Sequence, residues 1–466
     1  MAPKFGTSGL RGLVVELTDT LVGDYVRAFV SSCPTGTGLW VGRDLRPSSP
    51  DIAKVVLRAA QEMGLATVDC GAVPTPALAM AAMSAGAAAI MVTGSHIPAD
   101  RNGLKFYVPD GEISKSDEAA ILASLGQSAP QKHEVYPTVL STSVGADWVN
   151  RYTQAFGDRA LHGLRLGVWT HSAVSRDLLL SAIASMGGEA IDLGRSETFV
   201  PVDTEAVPAA VRQQLDSWVS KHQLDAILST DGDGDRPLLV DETGAVVPGD
   251  VLGQITAAVI GAKEVVTPVS SNTGVEKGGK FLHITRTRIG SPYVISGMQS
   301  AGPGAKVVGY EANGGFLLGF KASGPAGMLD PLWTRDSLLP LIAVLTRAKA
   351  LGRLSSVVAA EPKRFTATDR LEDIPTDRSK ALIAGFEADP AALGRFLSGV
   401  GDQQVSIDRT DGLRITLASG RILHMRPSGN APEFRLYVEA DSPDLAREMV
   451  ETGLRQLKTL LLSGQD

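Results

Sequence analysis

The chain has 466 residues, too many for one hydrophobic core, so three or four domains are expected. Its 44% hydrophobic and 20% charged content are those of a soluble globular protein, and a net charge of −7 without a long basic run argues against a nucleic-acid partner. The start MAPKFGTSGLRG has no apolar signal segment and no 18-residue apolar run occurs, so no membrane partner is expected and the cytoplasm is the default compartment.

In chain order, Leu39-Trp40-Val41-Gly42 reads as a strand, and Arg46-Pro47-Ser48-Ser49-Pro50 opens a helix running to Met63. A strand follows near Ala66-Thr67-Val68. The apolar run from Ala87 to Val92 then ends in the loop Thr93-Gly94-Ser95-His96. The same pattern restarts at Leu164-Arg165-Leu166-Gly167-Val168-Trp169, continues through a helix from Ser175 to Met186 and a strand near Glu189-Ala190-Ile191, and reaches a later strand, Ala226-Ile227-Leu228. A third copy starts at Glu264-Val265-Val266-Thr267, passes a weaker helical stretch to Ile284, and has its later strand at Lys306-Val307-Val308, before Tyr310-Glu311-Ala312-Asn313-Gly314-Gly315. Strands alternating with helices predict parallel sheets with helices on their faces, and ligands bind beyond the carboxyl ends of such strands. The three polar loops therefore fall at equivalent strand ends and are expected to converge on one site.

From about Pro362 the pattern changes. Strands at Arg364-Phe365-Thr366-Ala367-Thr368, Arg414-Ile415-Thr416-Leu417 and Phe434-Arg435-Leu436-Tyr437-Val438, with a last helix over 441–462, predict a fourth, α+β domain. The expected architecture is three repeated mixed α/β domains plus this fourth one around a central cleft, with boundaries at 1–143, 144–245, 246–361 and 362–466. The two cysteines, Cys33 and Cys70, make neither a metal-like spacing nor a disulfide framework.

The loop after the second copy's later strand carries the most chemistry. Asp231-Gly232-Asp233-Gly234-Asp235-Arg236 places three carboxylates at i, i+2 and i+4, a repulsive cluster unless a hard dication sits in it, and oxygen ligands of this kind suit Mg²⁺. The rival is an EF-hand loop, with Glu242 at position twelve. That loop requires Gly at position six, where Arg236 stands, and helices on both sides, where a strand precedes. Ser95 is a weak nucleophile unless a base or charge activates it; His96 is adjacent and Lys105 follows in Asn102-Gly103-Leu104-Lys105. In Arg426-Pro427-Ser428-Gly429-Asn430-Ala431-Pro432, followed by Arg435, glycine admits an anion to the backbone. Ser428 and Asn430 donate hydrogen bonds there, and Arg426 suits a phosphate. Glu311 with Asn313 offers partners for adjacent sugar hydroxyls.

Four motifs stand in one order: Phe5-Gly6-Thr7-Ser8-Gly9-Leu10-Arg11-Gly12, the Ser95 loop with Lys105, the aspartate loop and the Arg426 loop. With Gly42-Arg43-Asp44-Leu45-Arg46-Pro47-Ser48-Ser49 and Val73-Pro74-Thr75-Pro76, they make the chain resemble the α-D-phosphohexomutase family over essentially its whole length. The resemblance implies that Ser95 is a phosphoserine whose oxygen joins Asp231, Asp233 and Asp235 on Mg²⁺. It also implies that Arg11 and Lys105 flank the transferring group, Lys105 as acid/base, and that Arg236 helps hold substrate. Phospho-Ser95 would phosphorylate O6 of a hexose 1-phosphate, mannose first and glucose second. The 1,6-bisphosphate, intermediate and activator, would turn over and return the other phosphate. Many bacterial relatives have a sugar loop G-E-x-S-G-H; here Asn313 stands for Ser and Gly315 for His. Glucosamine and glucose phosphates are therefore the rival substrates, and a Mg²⁺-dependent sugar phosphatase or a non-catalytic sugar-phosphate binder the rival classes.

Overall fold

A computed structural model describes residues 3–6, 9–127, 137–428 and 432–462. Each of the three copies builds one sheet around its first strand. Leu39–Arg43 pairs in parallel with Thr67–Ala72 on one side and Ala88–Val92 on the other. Arg165–Trp169 does the same with Glu189–Leu193 and Ala226–Thr230, and Glu264–Pro268 with His283–Thr287 and Val307–Tyr310. The later strand of each copy then turns back antiparallel, into Arg101–Val108, Pro237–Asp241 and Phe316–Leu318 respectively. The three polar loops are these three reversals, so the repeat carries them to matching sheet ends, as the alternation of strands and helices predicts.

The later strands Ala88–Val92 and Ala226–Thr230 are buried along their whole length, as strands covered on both faces are, which is why Ala87 to Val92 and Ala226 to Leu228 read as apolar runs. One correction concerns the third copy. The expected helical stretch to Ile284 is a single turn, Gly274–Lys277, and His283–Thr287 is the sheet's edge strand. Gly278 and Gly279 stop the helix, and the Thr-rich run that follows favours an extended chain.

The fourth unit is a five-stranded antiparallel sheet in the order Phe365–Leu371, Phe434–Ala440, Ile422–Pro427, Leu413–Leu417, Gln404–Asp408. Thr376–Ala388, Pro390–Gly399 and Pro443–Leu462 cover it.

The cores divide unevenly. One apolar cluster runs through all three repeated units, with Trp148 and Tyr152 of the helix Val144–Phe156 fully buried at its centre. The fourth unit has its own core, from Phe386 to Leu461. It meets the third through polar contacts: Glu439 accepts from Thr273, Arg414 Nε donates to Val269 O at 3.1 Å, and Ile289 N donates to Asp411 Oδ2 at 3.0 Å. A polar interface between separate cores is the kind that permits one unit to move against another. Cys33 and Cys70 are both free and buried. No described helix is long and apolar enough to cross a membrane.

Candidate active site

Ser95 follows the buried strand Ala88–Val92 and adopts φ +55°, a left-handed conformation that costs a serine roughly 1–3 kcal/mol and persists only where surroundings enforce it. The enforcement is visible. Ser95 N donates to Thr93 Oγ1 at 2.7 Å, and Thr93 Oγ1 donates to Asp44 at 2.7 Å. Arg46, fully buried, donates to the carbonyls of Ser95 (2.9 Å), Ile97 (2.5 Å), Pro98 (2.6 Å) and Arg101 (2.9 Å), and its Nε pairs with Asp44 at 3.1 Å. A planar guanidinium thus holds the loop by its backbone, and its outer face rests 4.0 Å from the Phe199 ring of the second unit.

Ser95 Oγ donates to Asp231 Oδ2 at 2.6 Å, joining the first unit to the aspartate loop. Lys105 on the next strand sits between two more carboxylates, 2.6 Å from Asp233 Oδ2 and 2.5 Å from Asp235 Oδ2. Thr75 Oγ1 also donates to Asp233 Oδ2, at 2.5 Å. The residues fit a hard dication. One oxygen from each of the three aspartates can be chosen so that all lie within 4.8 Å of one another. Asp233 Oδ1 and Asp235 Oδ1 are buried without a hydrogen-bond partner among the described residues, although the other oxygen of each carboxylate is bonded. The electrostatics separate the trio. Burial and the charges of Asp233 and Asp235 push the Asp231 carboxyl well up. Burial also works against ionised Asp233, but Lys105 and the Thr75 hydroxyl more than offset it and hold that carboxyl far down.

His96 lies with Nδ1 3.5 Å from Ser95 Oγ and accepting from Arg236 Nη1 at 3.0 Å. Burial, and then Arg236, push its pKa down to about 3, so the ring is neutral at pH 7. Arg11 is enclosed in the same cluster, and burial draws its guanidinium down to about 10 against the pull of Asp233. In the third unit, Glu311 and Asn313 meet at 3.5 Å, and Thr204 Oγ1 of the second unit donates to Asn313 O at 2.8 Å. Arg335, a residue without any sequence motif, bridges Asp235 and Glu311.

On the fourth unit, Arg426 Nε is 2.8 Å from Asp411 Oδ2, Ser428 is buried, and Arg435 Nη2 is 2.9 Å from Glu433. Gly429 and Asn430, like Thr7 and Ser8, lie outside the described residues. Glu205 of the second unit lies in the electrostatic field of Asp203, Arg236 and Arg435. It reaches solvent, yet crowding by protein and then Asp203 push its carboxyl up to about 7, while Arg236 and Arg435 act in the opposite direction. The sequence reading missed Arg46, Thr75, Glu205 and Arg335. Arg46 and Thr75 stood inside quoted segments; Glu205 and Arg335 had no signal at all.

Three histidines, His171 and His424 buried and His96 partly so, give a pH prediction. Burial lowers His96 to about 3 and both His171 and His424 to about 4, from the ordinary 6.5. The unfolded chain takes up protons that the folded chain refuses, so stability falls as pH drops below about 6.5 toward 4. Urea midpoints should fall from pH 7 to pH 5. Because His171 Nε2 donates to Thr230 O at 2.9 Å, His171→Gln keeps a donor and should flatten the profile. An identical slope in that variant would contradict the assignment.

The chain matches all four domain descriptions of one family. These are Phosphoglucomutase/phosphomannomutase alpha/beta/alpha domain I over residues 2–132, domain II over 146–244, domain III over 241–365 and the C-terminal domain over 368–454. It is 44% identical to a phosphomannomutase of Sinorhizobium fredii, across 99% of this chain and 100% of that one. It is 42% identical to a phosphomannomutase of Salmonella muenchen, across 98% and 96%. A Phosphoglucomutase/phosphomannomutase family protein from Burkholderia thailandensis superposes with a TM-score of 0.77 at 18% identity, covering 99% of this chain and 98% of that one, which speaks to the fold. With the four domains in one order and a buried serine against an aspartate triad, the chain belongs to the phosphoglucomutase/phosphomannomutase family of intramolecular phosphotransferases.

Proposed function

We propose that this chain interconverts mannose 1-phosphate and mannose 6-phosphate, with glucose phosphates as secondary substrates, through phospho-Ser95 and a hexose 1,6-bisphosphate. The observation that carries the reading is the buried contact of Ser95 Oγ with Asp231 at 2.6 Å, beside Lys105 clamped on Asp233 and Asp235. The choice of mannose rests on the two full-length phosphomannomutases at 44% and 42% identity. The lobes would divide near residues 143, 245 and 361.

In this reading O6 of the hexose attacks phosphorus, the new O6–P bond forms and the Ser95 Oγ–P bond breaks. The proton that O6 gives up passes to Ser95 Oγ by way of Lys105, the titratable group that also touches both neighbouring aspartates. The bisphosphate turns over, its 1-phosphate returns to Ser95, and hexose 6-phosphate leaves. Asp231, Asp233, Asp235 and a phosphoserine oxygen would hold Mg²⁺, which when bound neutralises charge on the transferring group. Arg11, His96 and Arg236 stand around that position. Arg236 donates to neutral His96, so the pair serves to orient the loop and substrate. Glu311 and Asn313 face the sugar, and Arg426, Ser428, Gly429, Asn430 and Arg435 grip the phosphate that is not transferred.

Steady-state assays with mannose, glucose and glucosamine 1-phosphates test the substrate. The highest kcat/KM is expected for mannose. Preference for the glucosamine compound would overturn that choice, and release of inorganic phosphate in place of hexose 6-phosphate would mark a phosphatase. Arg426→Ala should raise KM about ten- to hundredfold, the loss of one charge-assisted contact of about 1.5–3 kcal/mol, while leaving phosphorylation of Ser95 by the bisphosphate largely intact. Unchanged KM would remove that loop from the site.

A further inference from the structure

The strand Leu332–Asp336 runs antiparallel to Phe316–Leu318, with Asp336 opposite Phe316, and so brings Arg335 beside the end of the sugar loop. Arg335 is only 3% exposed. Its Nη2 and Nε lie 2.8 and 3.1 Å from Asp235 Oδ2, and its Nη1 lies 3.1 Å from Glu311 Oε2. One guanidinium therefore grips a carboxylate of the aspartate loop and a carboxylate of the sugar loop, which belong to different sheets. The backbone that carries it is pinned on the far side. Asp336 accepts from Trp148 Nε1 at 3.0 Å and Tyr152 OH at 2.5 Å, and Ser337 Oγ donates to Gly234 O at 2.7 Å.

The sugar loop makes room for this arrangement. A Cβ added at Gly315 would stand 2.7 Å from Arg335 Cδ and 2.9 Å from its Cγ, closer than real side chains approach. Any side chain at 315 and the Arg335 stem in this position exclude one another. The glycine at 315 thus has a physical counterpart on the neighbouring strand.

We propose that Arg335 is a positioning residue that couples the two halves of the site, and that Gly315 is the glycine its side chain requires. It holds Asp235 by Oδ2, the oxygen also taken by Lys105, so that Oδ1 is left for the dication; by its third nitrogen it fixes Glu311 for the sugar. Metal affinity and sugar-phosphate affinity then depend on one side chain. This rests on the function proposed above, and it is tested by binding rather than turnover.

The probes are Mn²⁺, followed by electron paramagnetic resonance, and mannose 1-phosphate, followed by calorimetry. Arg335→Lys keeps the charge but cannot span two carboxylates, and Gly315→Ala displaces the stem from the other side. Each should weaken both ligands about tenfold, the scale of one charge-assisted hydrogen bond, with a cooperative thermal transition retained. In an Arg335→Ala background, where Cγ and Cδ are gone, Gly315→Ala should add no further loss. A purely structural role would shift the thermal midpoint and leave both affinities in place. The proposal is overturned if only one ligand weakens in Arg335→Lys, or if Gly315→Ala costs as much in the Arg335→Ala background as in the wild type. Absence of mutase turnover in the wild type would instead defeat the functional reading, and the two binding measurements would still judge Arg335.

Discussion

Ser95→Ala is expected to lose essentially all mutase activity, a fall on the order of 10⁶, the scale on which a nucleophilic serine that acts as a unit with its partners is felt. The loss should be accompanied by loss of covalent phosphate, visible as an intact-mass difference of one phosphate in addition to the hydroxyl oxygen after incubation with a hexose 1,6-bisphosphate. The fold should not suffer in proportion. Ser95 Oγ makes one strong hydrogen bond, to Asp231, and the loop is held by Arg46 through carbonyl oxygens that alanine retains. Alanine does inherit the φ of +55°, which it tolerates no better than serine. A fully active wild type that carries no phosphate on Ser95, or an active alanine variant, would defeat the mechanism.

Arg46 is costly to bury, and its contacts offset that cost. Its buried guanidinium neutralises Asp44 and satisfies four carbonyls that would otherwise face a dry interior. That is why a loop built on a strained serine can be rigid. None of this was legible in the chain. The arginine and the carbonyls it serves are separated by about fifty residues, and backbone acceptors have no sequence signature. The same holds for Arg335, which meets Asp235 across 100 positions. The three loops were legible for the opposite reason. Each is a strand end, and strand ends are announced locally by an apolar run stopping at Gly, Asp or Asn. The aspartate loop added repulsion that only a cation relieves. The third copy's stretch to Ile284 reads as helix because an exposed edge strand lacks the apolar run that marks a central one: His283–Thr287 has no fully buried residue. The fourth unit's strands, Phe365–Leu371 and Phe434–Ala440, extend further than the sequence pattern suggests, since antiparallel pairing over seven residues holds polar positions such as Asp369 and Arg370 in the ladder.

Replacing single aspartates of the triad should abolish activity alike yet move stability in opposite directions. Asp233→Asn and Asp231→Asn each remove one charge at nearly constant shape, and either should collapse mutase turnover if the triad holds Mg²⁺. Repulsion among the three carboxylates alone would make both variants as stable as the wild type or more so. The surroundings of Asp233 change that expectation. Its Oδ2 accepts from Lys105 at 2.6 Å and Thr75 at 2.5 Å, so its ionised form is favoured in the folded protein. A depressed carboxylate contributes stability that is present above its unfolded pKa of about 4 and fades as pH falls. Asp233→Asn should therefore cost about 1–3 kcal/mol at pH 7 in chelator, through a weakened Lys105 contact. Asp231 is the reverse case. Among the described residues no side-chain cation approaches it closer than Arg236 Nε at 3.9 Å, and burial with two neighbouring carboxylates raises its carboxyl. Its charge costs stability once the pH exceeds the unfolded value, and the cost grows until the pH passes the raised folded one. Asp231→Asn should accordingly unfold at the same or higher denaturant concentration at pH 7, with the gap from the wild type closing near pH 4. Equal destabilisation by both substitutions would show that Lys105 does not discriminate between the two carboxylates, and wild-type turnover of either variant in chelator would remove the triad from the reaction.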